Sequence, residues 1–184
     1  QGATDSLTSF ASGGYSLAAT RGTNTVTLKG GGLSGTVTVT TSFADQNIKL
    51  DVVNGSTLLT SGSIAVSGPI GAIRALGLNG LSITAGTGSQ AISGTVANDL
   101  IDGGSGDDII QAGLGDDTVN GGDGTDIAVF EGHSDEYTMG LNREGALFLS
   151  SVSSGKDTAK NIEIYRFTNG DFKFLQFVLG GWAV

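Results

Sequence analysis

The protein has 184 residues, enough for one domain or two small ones, and no cysteine, which excludes disulfide bonds and thiolate metal sites. Its apolar runs fall far short of the roughly 18 residues that a membrane-spanning helix needs, so no transmembrane segment is expected. The formal net charge of −9 argues against nucleic acid as a partner, because nucleic-acid-binding domains carry basic surfaces.

The negative charge lies almost wholly in the second half of the chain. Residues 1–93 hold three acidic and four basic residues, whereas residues 94–131 hold nine acidic residues and no basic one. Such crowding of like charge opposes a compact fold unless counter-ions neutralise it. The distribution therefore predicts cation binding in the middle of the chain.

Residues 1–93 are predicted to form a β-rich N-terminal region. Segments rich in Val, Ile and Thr alternate there with Gly, Asn and Ser turn signals. The pattern fits an antiparallel sandwich or an irregular β-solenoid that continues into the next residues, and the small residues of 54–93 favour the solenoid. Residues 70–76 fit either a short helix or a further rung. The predicted strands are Thr23–Lys29, Gly35–Thr41, Asn47–Val53, Ser63–Ser67 and Leu81–Ala85.

Residues 94–130 contain a nine-residue repeat. Asp99, Asp108, Asp117 and Asp126 recur at a spacing of nine, and an apolar residue follows each of them by two positions. The clearest units are GGSGDDIIQ and GGDGTDIAV, which begin at residues 103 and 121. A flexible acidic linker would not keep this register, and the D-x-[DN]-x-[DN]-G-x₅-E pattern of an EF-hand loop is absent.

Each residue type in the unit has a physical role. Glycines allow sharp turns with positive φ, which can point several carbonyl oxygens inward. The aspartate adds a carboxylate, and a hard cation such as Ca²⁺ prefers six to eight carboxylate and carbonyl oxygens as ligands. The three residues after the aspartate form a short strand whose middle, apolar side chain faces inward. One unit cannot bury its apolar side alone, so about three or more units must stack.

The repeat, G-G-x-G-x-D-x-U-x with U apolar, resembles the repeats-in-toxin (RTX) family. The resemblance implies a short parallel β-roll with two units per turn and Ca²⁺ between turns, about two ions in all. It implies that Asp108 and Asp126 share one ion, and that Asp99 and Asp117 share another on the opposite side. Further implied ligands are Asn98, Asp107 and Asp116, together with the carbonyls of Gly104, Gly106, Gly113 and Gly115.

The unit at 94–102 is a degenerate copy of the repeat. Thr95 and Ala97 stand where the pattern expects glycine. Ala112 replaces the first glycine of the unit at 112–120, which is a milder departure. The roll, assigned to residues 94–130, is therefore short and is expected to depend on the β regions at both of its ends.

Residues 131–184 are predicted to form a C-terminal β cap. The sequence NIEIYRFTNGDFKFL, which begins at residue 161, resembles the region after RTX repeats in type I secretion substrates. Such a cap would also cover the open end of the roll, whose exposed backbone could otherwise pair with other chains. The apolar residues 177–184 suit an uncleaved secretion signal or a last buried strand. The predicted strands are Glu136–Gly140, Ala146–Ser151, Asn161–Phe167 and Asp171–Leu179.

No catalytic residues are predicted. The single histidine, His133, adjoins Ser134 and Asp135 in a predicted loop, where sequence neighbours cannot converge as the members of a catalytic triad do. The H-E-x-x-H, nucleophile-elbow and P-loop motifs are absent. We therefore expect that the chain is not an enzyme.

Together these features predict a calcium-binding C-terminal segment of an exported bacterial RTX protein, such as a surface-layer protein or an adhesin. The resemblance implies type I export through an ABC transporter, a secreted or cell-surface location, and folding on Ca²⁺ outside the cell. The first residue, Gln1, indicates a piece of a longer protein, and no Sec-type signal is present. A second copy of the chain and cell-surface polysaccharide are further candidate partners. The alternative is a polysaccharide-binding accessory module of an extracellular enzyme, with Phe10, Tyr15 and Phe43 as candidate contacts.

Overall fold

The computed structural model describes residues 22–30, 32–43 and 48–173, in which nearly all regular secondary structure is β-strand. They contain seventeen strands and one 3₁₀ turn, Ser134–Glu136. The all-β class predicted from the sequence is confirmed. The strands are β1 (Gly22–Leu28), β2 (Val37–Phe43), β3 (Leu50–Val53), β4 (Thr57–Thr60), β5 (Ile64–Ser67), β6 (Ala72–Ala75), β7 (Ser82–Thr84), β8 (Ala91–Ser93), β9 (Leu100–Asp102), β10 (Ile109–Gln111), β11 (Thr118–Asn120), β12 (Ile127–Val129), β13 (Thr138–Leu141), β14 (Leu147–Ser151), β15 (Gly155–Lys160), β16 (Ile164–Phe167) and β17 (Gly170–Lys173).

Two parallel ladders form the body of the protein. A nine-stranded sheet contains the parallel run β5-β7-β9-β11-β15, and an eight-stranded sheet contains the parallel run β4-β6-β8-β10-β12-β16. From β4 to β12, successive strands alternate between the two sheets, so the chain winds as a solenoid. Within the repeats each turn takes 18 residues, because Ile109 pairs with Ile127 and Leu100 with Thr118. The predicted parallel β-roll is confirmed.

The middle residue of each short strand points into the core. In β10, Ile110 is 1% exposed, whereas Ile109 and Gln111 on either side of it face solvent. This alternation lets a strand of only three residues contribute one apolar side chain to a continuous column. The column contains Ile73, Ile92, Ile110, Ala128 and Tyr165 from the eight-stranded sheet, and Ile83, Ile101, Val119 and Ala159 from the nine-stranded sheet.

Glycines in the turns allow successive turns of the solenoid to stack so closely that their backbones are in contact. Gly122 has φ 106°, and a Cβ there would overlap the carbonyl oxygen of Gly104, which lies one turn earlier. Only glycine meets both demands, since it tolerates positive φ and carries no side chain. The glycines of the repeat therefore fix the spacing of the stack.

Antiparallel strands flank the solenoid at both ends. At the beginning, β1 and β2 extend the nine-stranded sheet from β5, and β3 pairs with β4. At the other end, the β13-β14 hairpin joins β15, and β17 pairs with β16. This end is filled by a cluster of aromatic rings whose centroids lie 5.1–6.4 Å apart, formed by Phe130, Tyr137, Tyr165, Phe167 and Phe172. The predicted C-terminal β cap is present.

The structure also resolves what the sequence left open. Residues 70–76 contain the rung β6 and no helix. The N-terminal region combines the two predicted architectures, since it is antiparallel at first and becomes a parallel solenoid from β4 onward. Divisions at residues 93 and 130 stay predictions, and parallel pairing crosses both, through β8 with β10 and β12 with β16.

Some predictions lie outside the described residues. They concern Phe10, Tyr15, the side chain of Phe43, the apolar residues 177–184 and the continuation of β17 beyond Lys173. Within the described ranges, no helix is long and apolar enough to cross a bilayer.

Candidate calcium site

The sixth residue of each repeat unit lies directly before a strand and is stacked against its counterpart in the next turn. Before the nine-stranded sheet, the backbone N–H of Asp99 donates a hydrogen bond of 2.7 Å to Oδ1 of Asp117. Before the eight-stranded sheet, the N–H of Asp108 donates one of 2.8 Å to Oδ1 of Asp126. The structure thus brings together both pairs of aspartates that the family resemblance implies.

Three of these carboxylates keep one oxygen without a partner. The Oδ2 atoms of Asp108, Asp117 and Asp126 are buried and accept no hydrogen bond, and the three residues are at most 1% exposed. Their Oδ1 atoms are satisfied, as when the N–H of Gln90 donates to Asp108 at 2.7 Å. An unpaired oxygen of a buried carboxylate is costly, so these atoms mark positions where a cation would be stabilising.

A glycine keeps open the space in front of the Asp108 oxygen. A Cβ on Gly103 would lie 2.5 Å from Asp108 Oδ2 and 2.5 Å from the carbonyl oxygen of Gly121, in the next turn. Carboxylate and carbonyl oxygens from different turns therefore converge there, which is the donor set that Ca²⁺ prefers. In the part of the chain that the structure describes, no three acidic or histidine side chains meet at metal-binding distance. A cation at this point would need backbone carbonyls or water among its ligands.

Burial and mutual repulsion raise the pKa values of the aspartates. Burial raises the pKa of Asp108 to about 6, and the charge of Asp126 adds to the shift. Burial raises the pKa of Asp117 to about 7, with a further contribution from Asp157. The pKa of Asp126 is raised by burial and then by Glu163. The ionised forms of these carboxyls are therefore destabilised near neutral pH. A bound divalent cation would stabilise them by supplying the opposite charge.

Asp99 has different surroundings from the other three aspartates. Its Oδ1 accepts a hydrogen bond of 2.6 Å from the N–H of Leu81. Its Oδ2 accepts hydrogen bonds from the N–H of Thr95 at 2.5 Å and from the Thr95 hydroxyl at 3.0 Å. The protein itself thus satisfies both oxygens. An ion between Asp99 and Asp117 stays a prediction, and the unpaired oxygen in that pair belongs to Asp117.

The residues before the aspartates join neighbouring turns. Asn98, Asp107 and Asp116 are exposed, and a side-chain oxygen of each accepts a backbone N–H from the following turn, at 2.8–2.9 Å. The donors are Asp116, Thr125 and Lys156 respectively. These contacts stabilise the stack directly, and calcium ligation by the same side chains stays a prediction.

The four turn glycines named from the sequence occupy positions where any residue with a Cβ would be strained. A Cβ on any of them would lie within 3 Å of backbone atoms in the preceding turn, and each has φ between 90° and 121°. They are therefore required for close stacking, and ligation by their carbonyl oxygens stays a prediction. They are Gly104, Gly106, Gly113 and Gly115.

Two acidic residues that sequence reasoning missed extend the aspartate stacks. The N–H of Asp117 donates to Oδ1 of Asp157 at 3.0 Å, and the N–H of Asp126 donates to Oε2 of Glu163 at 2.8 Å. Burial raises the pKa of Asp157 to about 6. A signal for Asp157 is present in the sequence, because GKDTA at 155–159 repeats the glycine, aspartate and apolar positions of the unit.

Comparison with known families agrees with this geometry. A family model described as the RTX calcium-binding nonapeptide repeat matches residues 93–128 in four copies. This segment therefore has both the repeats and the parallel fold of a calcium-binding RTX β-roll.

One similar solved structure is that of the extracellular lipase LipA from Serratia marcescens, with 26% identity and a TM-score of 0.43. The alignment covers 48% of this chain and 14% of the lipase chain. No curated protein matches the chain.

The roll is a structural calcium-binding fold and not a catalytic one. His133 lies outside it, with Nδ1 at 4.0 Å from Oδ1 of Asp135, and both side chains are largely exposed. His133 directly precedes the 3₁₀ turn Ser134–Glu136, which contains Asp135, so only the predicted exposure of His133 is found in the structure.

Proposed function

We propose that this chain is a folding and anchoring segment of a secreted RTX protein. Type I export delivers it unfolded, Ca²⁺ outside the cell completes its fold, and its role there is structural, in a surface layer or an adhesin. The observation that carries the proposal is the set of three buried carboxylate oxygens, on Asp108, Asp117 and Asp126, that no protein group satisfies. About two ions are expected, one held by Asp108 with Asp126 and one by Asp117 with Asp99.

The energetics favour a calcium-dependent fold. Without Ca²⁺, the folded chain must hold several buried carboxylates close together, or protonate them, and both alternatives oppose folding near neutral pH. Extracellular calcium modules bind with dissociation constants of roughly 10⁻⁴–10⁻³ M, which suits millimolar Ca²⁺ outside cells. An ion present at ten times its dissociation constant adds about 1.4 kcal/mol to the free energy of unfolding.

Circular dichroism with EGTA and then with millimolar CaCl₂ tests the proposal. Calcium should increase the β signal and raise the melting temperature, because it binds the folded chain alone. MgCl₂ at the same concentration is the control, since Mg²⁺ demands a tighter octahedral site. Equal spectra and equal melting in EGTA and calcium would refute the proposal.

A single added methyl group tests the site itself. In the variant Gly103→Ala, the new Cβ would lie 2.5 Å from Asp108 Oδ2 and from the Gly121 carbonyl oxygen, so one ion per chain should be lost in a calorimetric titration. Gly71→Ala is the matched control, because a Cβ there meets nothing nearer than Ser56 at 3.7 Å. Neither glycine has a positive φ, so alanine itself is allowed at both positions. A full complement of ions in Gly103→Ala would contradict the assignment.

The alternative function, binding of polysaccharide, depends on Phe10, Tyr15 and the side chain of Phe43. These lie outside the described residues, so no contact of the structure favours it. A pull-down of calcium-loaded protein on insoluble glycans would detect it.

A further inference from the structure

The carboxylate stack beside the eight-stranded sheet continues beyond the repeats. Glu163 lies after the matched residues 93–128, yet it takes the position that Asp108 and Asp126 take in the two preceding turns. Its Oε2 accepts the N–H of Asp126 at 2.8 Å, as Oδ1 of Asp126 accepts the N–H of Asp108 at the same distance. The strand that follows is in register, since Ile164 pairs with Ile127.

The turn that carries Glu163 is shorter than a repeat turn. The N–H of Gly121 bonds to the carbonyl of Lys160, so Asn161 stacks on Gly121 and Glu163 on Asp126. Three residues, 161–163, thus replace the six of 121–126. Asn161 has φ 51°, which closes the short turn. The extra methylene of glutamate extends its carboxylate beyond the reach of an aspartate at the same backbone position.

The short turn keeps the oxygen arrangement of the Asp108 site. A Cβ on Gly121 would lie 2.5 Å from Oδ2 of Asp126 and closer still to the carbonyl oxygen of Asn161. The equivalent point at Gly103 lies between Oδ2 of Asp108 and the carbonyl oxygen of Gly121. Asp126 is fully buried and its Oδ2 has no partner, so an unpaired carboxylate oxygen is aimed into this second space as well.

We propose that Asp126, Asn161 and Glu163 form a further calcium site, which fastens the C-terminal cap to the last turn of the roll. Asp126 supplies Oδ2, Asn161 its backbone carbonyl and Glu163 its carboxylate, all hard oxygen donors. The Asn161 side chain donates to Asn120 Oδ1 at 2.7 Å, so it is held away from the ion. Glu163 is exposed, so water completes the coordination on the outer side. The proposal rests on the proposed function, because it requires that the roll bind calcium.

The site would join the last turn of the roll to the C-terminal cap, in addition to the pairing of β12 with β16. Asp126 belongs to the roll, whereas Asn161 and Glu163 lead into β16, which carries Tyr165 and Phe167 of the aromatic cluster. An ion bound between them would stabilise the folded cap, so the order of the cap would depend on the calcium concentration. Loss of this ion should therefore loosen β16 and β17 while the Asp108 site still binds.

Calorimetric titration with CaCl₂ and thermal melting of the whole chain test the site with Glu163→Gln. The amide keeps an acceptor for the Asp126 N–H but removes the charge, so the variant should bind one ion fewer than the wild type. Its melting temperature should fall in millimolar CaCl₂ and stay level or rise in EGTA. Glu144→Gln is the control, because Glu144 is exposed between β13 and β14 and loses the same charge.

The outcomes separate this proposal from the proposed function. If the wild type binds no calcium, both fail. If the wild type binds calcium and Glu163→Gln binds as many ions with equal affinity, only the Glu163 site is refuted. Asp108→Asn should lose a different ion, so the double variant should lose two. If Glu163→Gln does not fold, Glu163→Asp keeps the charge but shortens the reach, and unchanged affinity in that variant would overturn the proposal.

Discussion

At the scale of single residues, protein groups satisfy only half of each carboxylate in the repeat aspartates Asp108 and Asp126. Asp108 and Asp126 each direct one oxygen to a backbone N–H of the preceding turn, which fixes the side chain. The other oxygen has no protein partner. A buried unpaired polar group costs about 1–3 kcal/mol, and more when it is charged. A cation bound at these oxygens would therefore remove a penalty that no protein group removes in the described residues.

The raised pKa values predict that acid stabilises the calcium-free protein. Burial raises the pKa values of Asp108 and Asp117 to about 6 and about 7 in the folded chain, from 3.8 for an unperturbed aspartate. Between these values the folded chain binds more protons than the unfolded chain, so the free energy of unfolding falls as pH rises. Each carboxyl contributes at most about 1.4 kcal/mol per pH unit. In EGTA the melting temperature should therefore rise as pH is lowered from 8 to 5.

The same pH series in saturating CaCl₂ is the control. Protons and Ca²⁺ compete for the same oxygens, so the stabilisation by calcium should shrink as pH falls. A melting temperature in EGTA that is flat or falls on acidification would contradict the pKa shifts.

At the scale of one element, the turn at 94–99 shows how protein groups can satisfy the aspartate of a repeat. Thr95 replaces a glycine, and its N–H and hydroxyl donate to the Asp99 carboxylate. Thr95→Val keeps the shape of the side chain and removes the hydroxyl. A hydrogen bond to a charged group contributes about 1.5–3 kcal/mol, so urea unfolding should show a loss of that order both in EGTA and in calcium.

Thr118→Val is the matched control for this variant, because Thr118 is exposed in β11 and valine suits a strand. A loss of stability that Thr95→Val shows in EGTA alone would mean that calcium displaces Thr95. Asp99 Oδ2 would then be a direct ligand of the ion that Asp99 is proposed to share with Asp117.

The elements also show how far the sequence could predict the structure. The spacing of nine located Asp108, Asp117 and Asp126 and the strands after them, because local turn chemistry and burial impose that register. Asp157 and Glu163 were missed because the chain leaves the solenoid between Phe130 and Gly155 to form the β13-β14 hairpin. The hairpin breaks the spacing, and only pairing with distant strands restores the register.

Strands β4 and β15 were missed for a related reason. The inward positions of β15 include a buried aspartate, Asp157, so the strand lacks the apolar alternation by which strands are recognised. In β4 the buried Thr60 has the same effect, since its hydroxyl is satisfied by the Gly62 carbonyl at 2.7 Å. Polar residues that tertiary contacts satisfy are not visible in a hydrophobic pattern.

At the scale of the whole molecule, the solenoid changes chemistry along its axis. Beside the eight-stranded sheet, the stacked position before each strand is Gly71, then Gln90, and then the carboxylates from Asp108 onward. Beside the nine-stranded sheet it is Leu81 before Asp99. The first rungs therefore bury no carboxylate at this position, and only the later rungs need a counter-ion.

Hydrogen exchange should reveal this difference along the axis. In EGTA near neutral pH, the amides of β6, β7 and β8 should stay protected while those of β10, β11 and β12 exchange faster. Millimolar CaCl₂ should restore protection to the later rungs, because bound ions stabilise only the turns that hold them. Equal loss of protection in all rungs in EGTA would show that the solenoid unfolds as one unit.

The alternation of units between two sheets limits how such a chain can change in length. A unit at 103–111 feeds β10 in one sheet, and the next feeds β11 in the other. Duplication of one nonapeptide would deliver the hairpin and β16 to the wrong sheets, and the aromatic cap would lose its partners. Duplication of two nonapeptides adds a whole turn of 18 residues and returns each strand to its own sheet. Insertions and deletions in this protein should therefore be tolerated in even numbers of units.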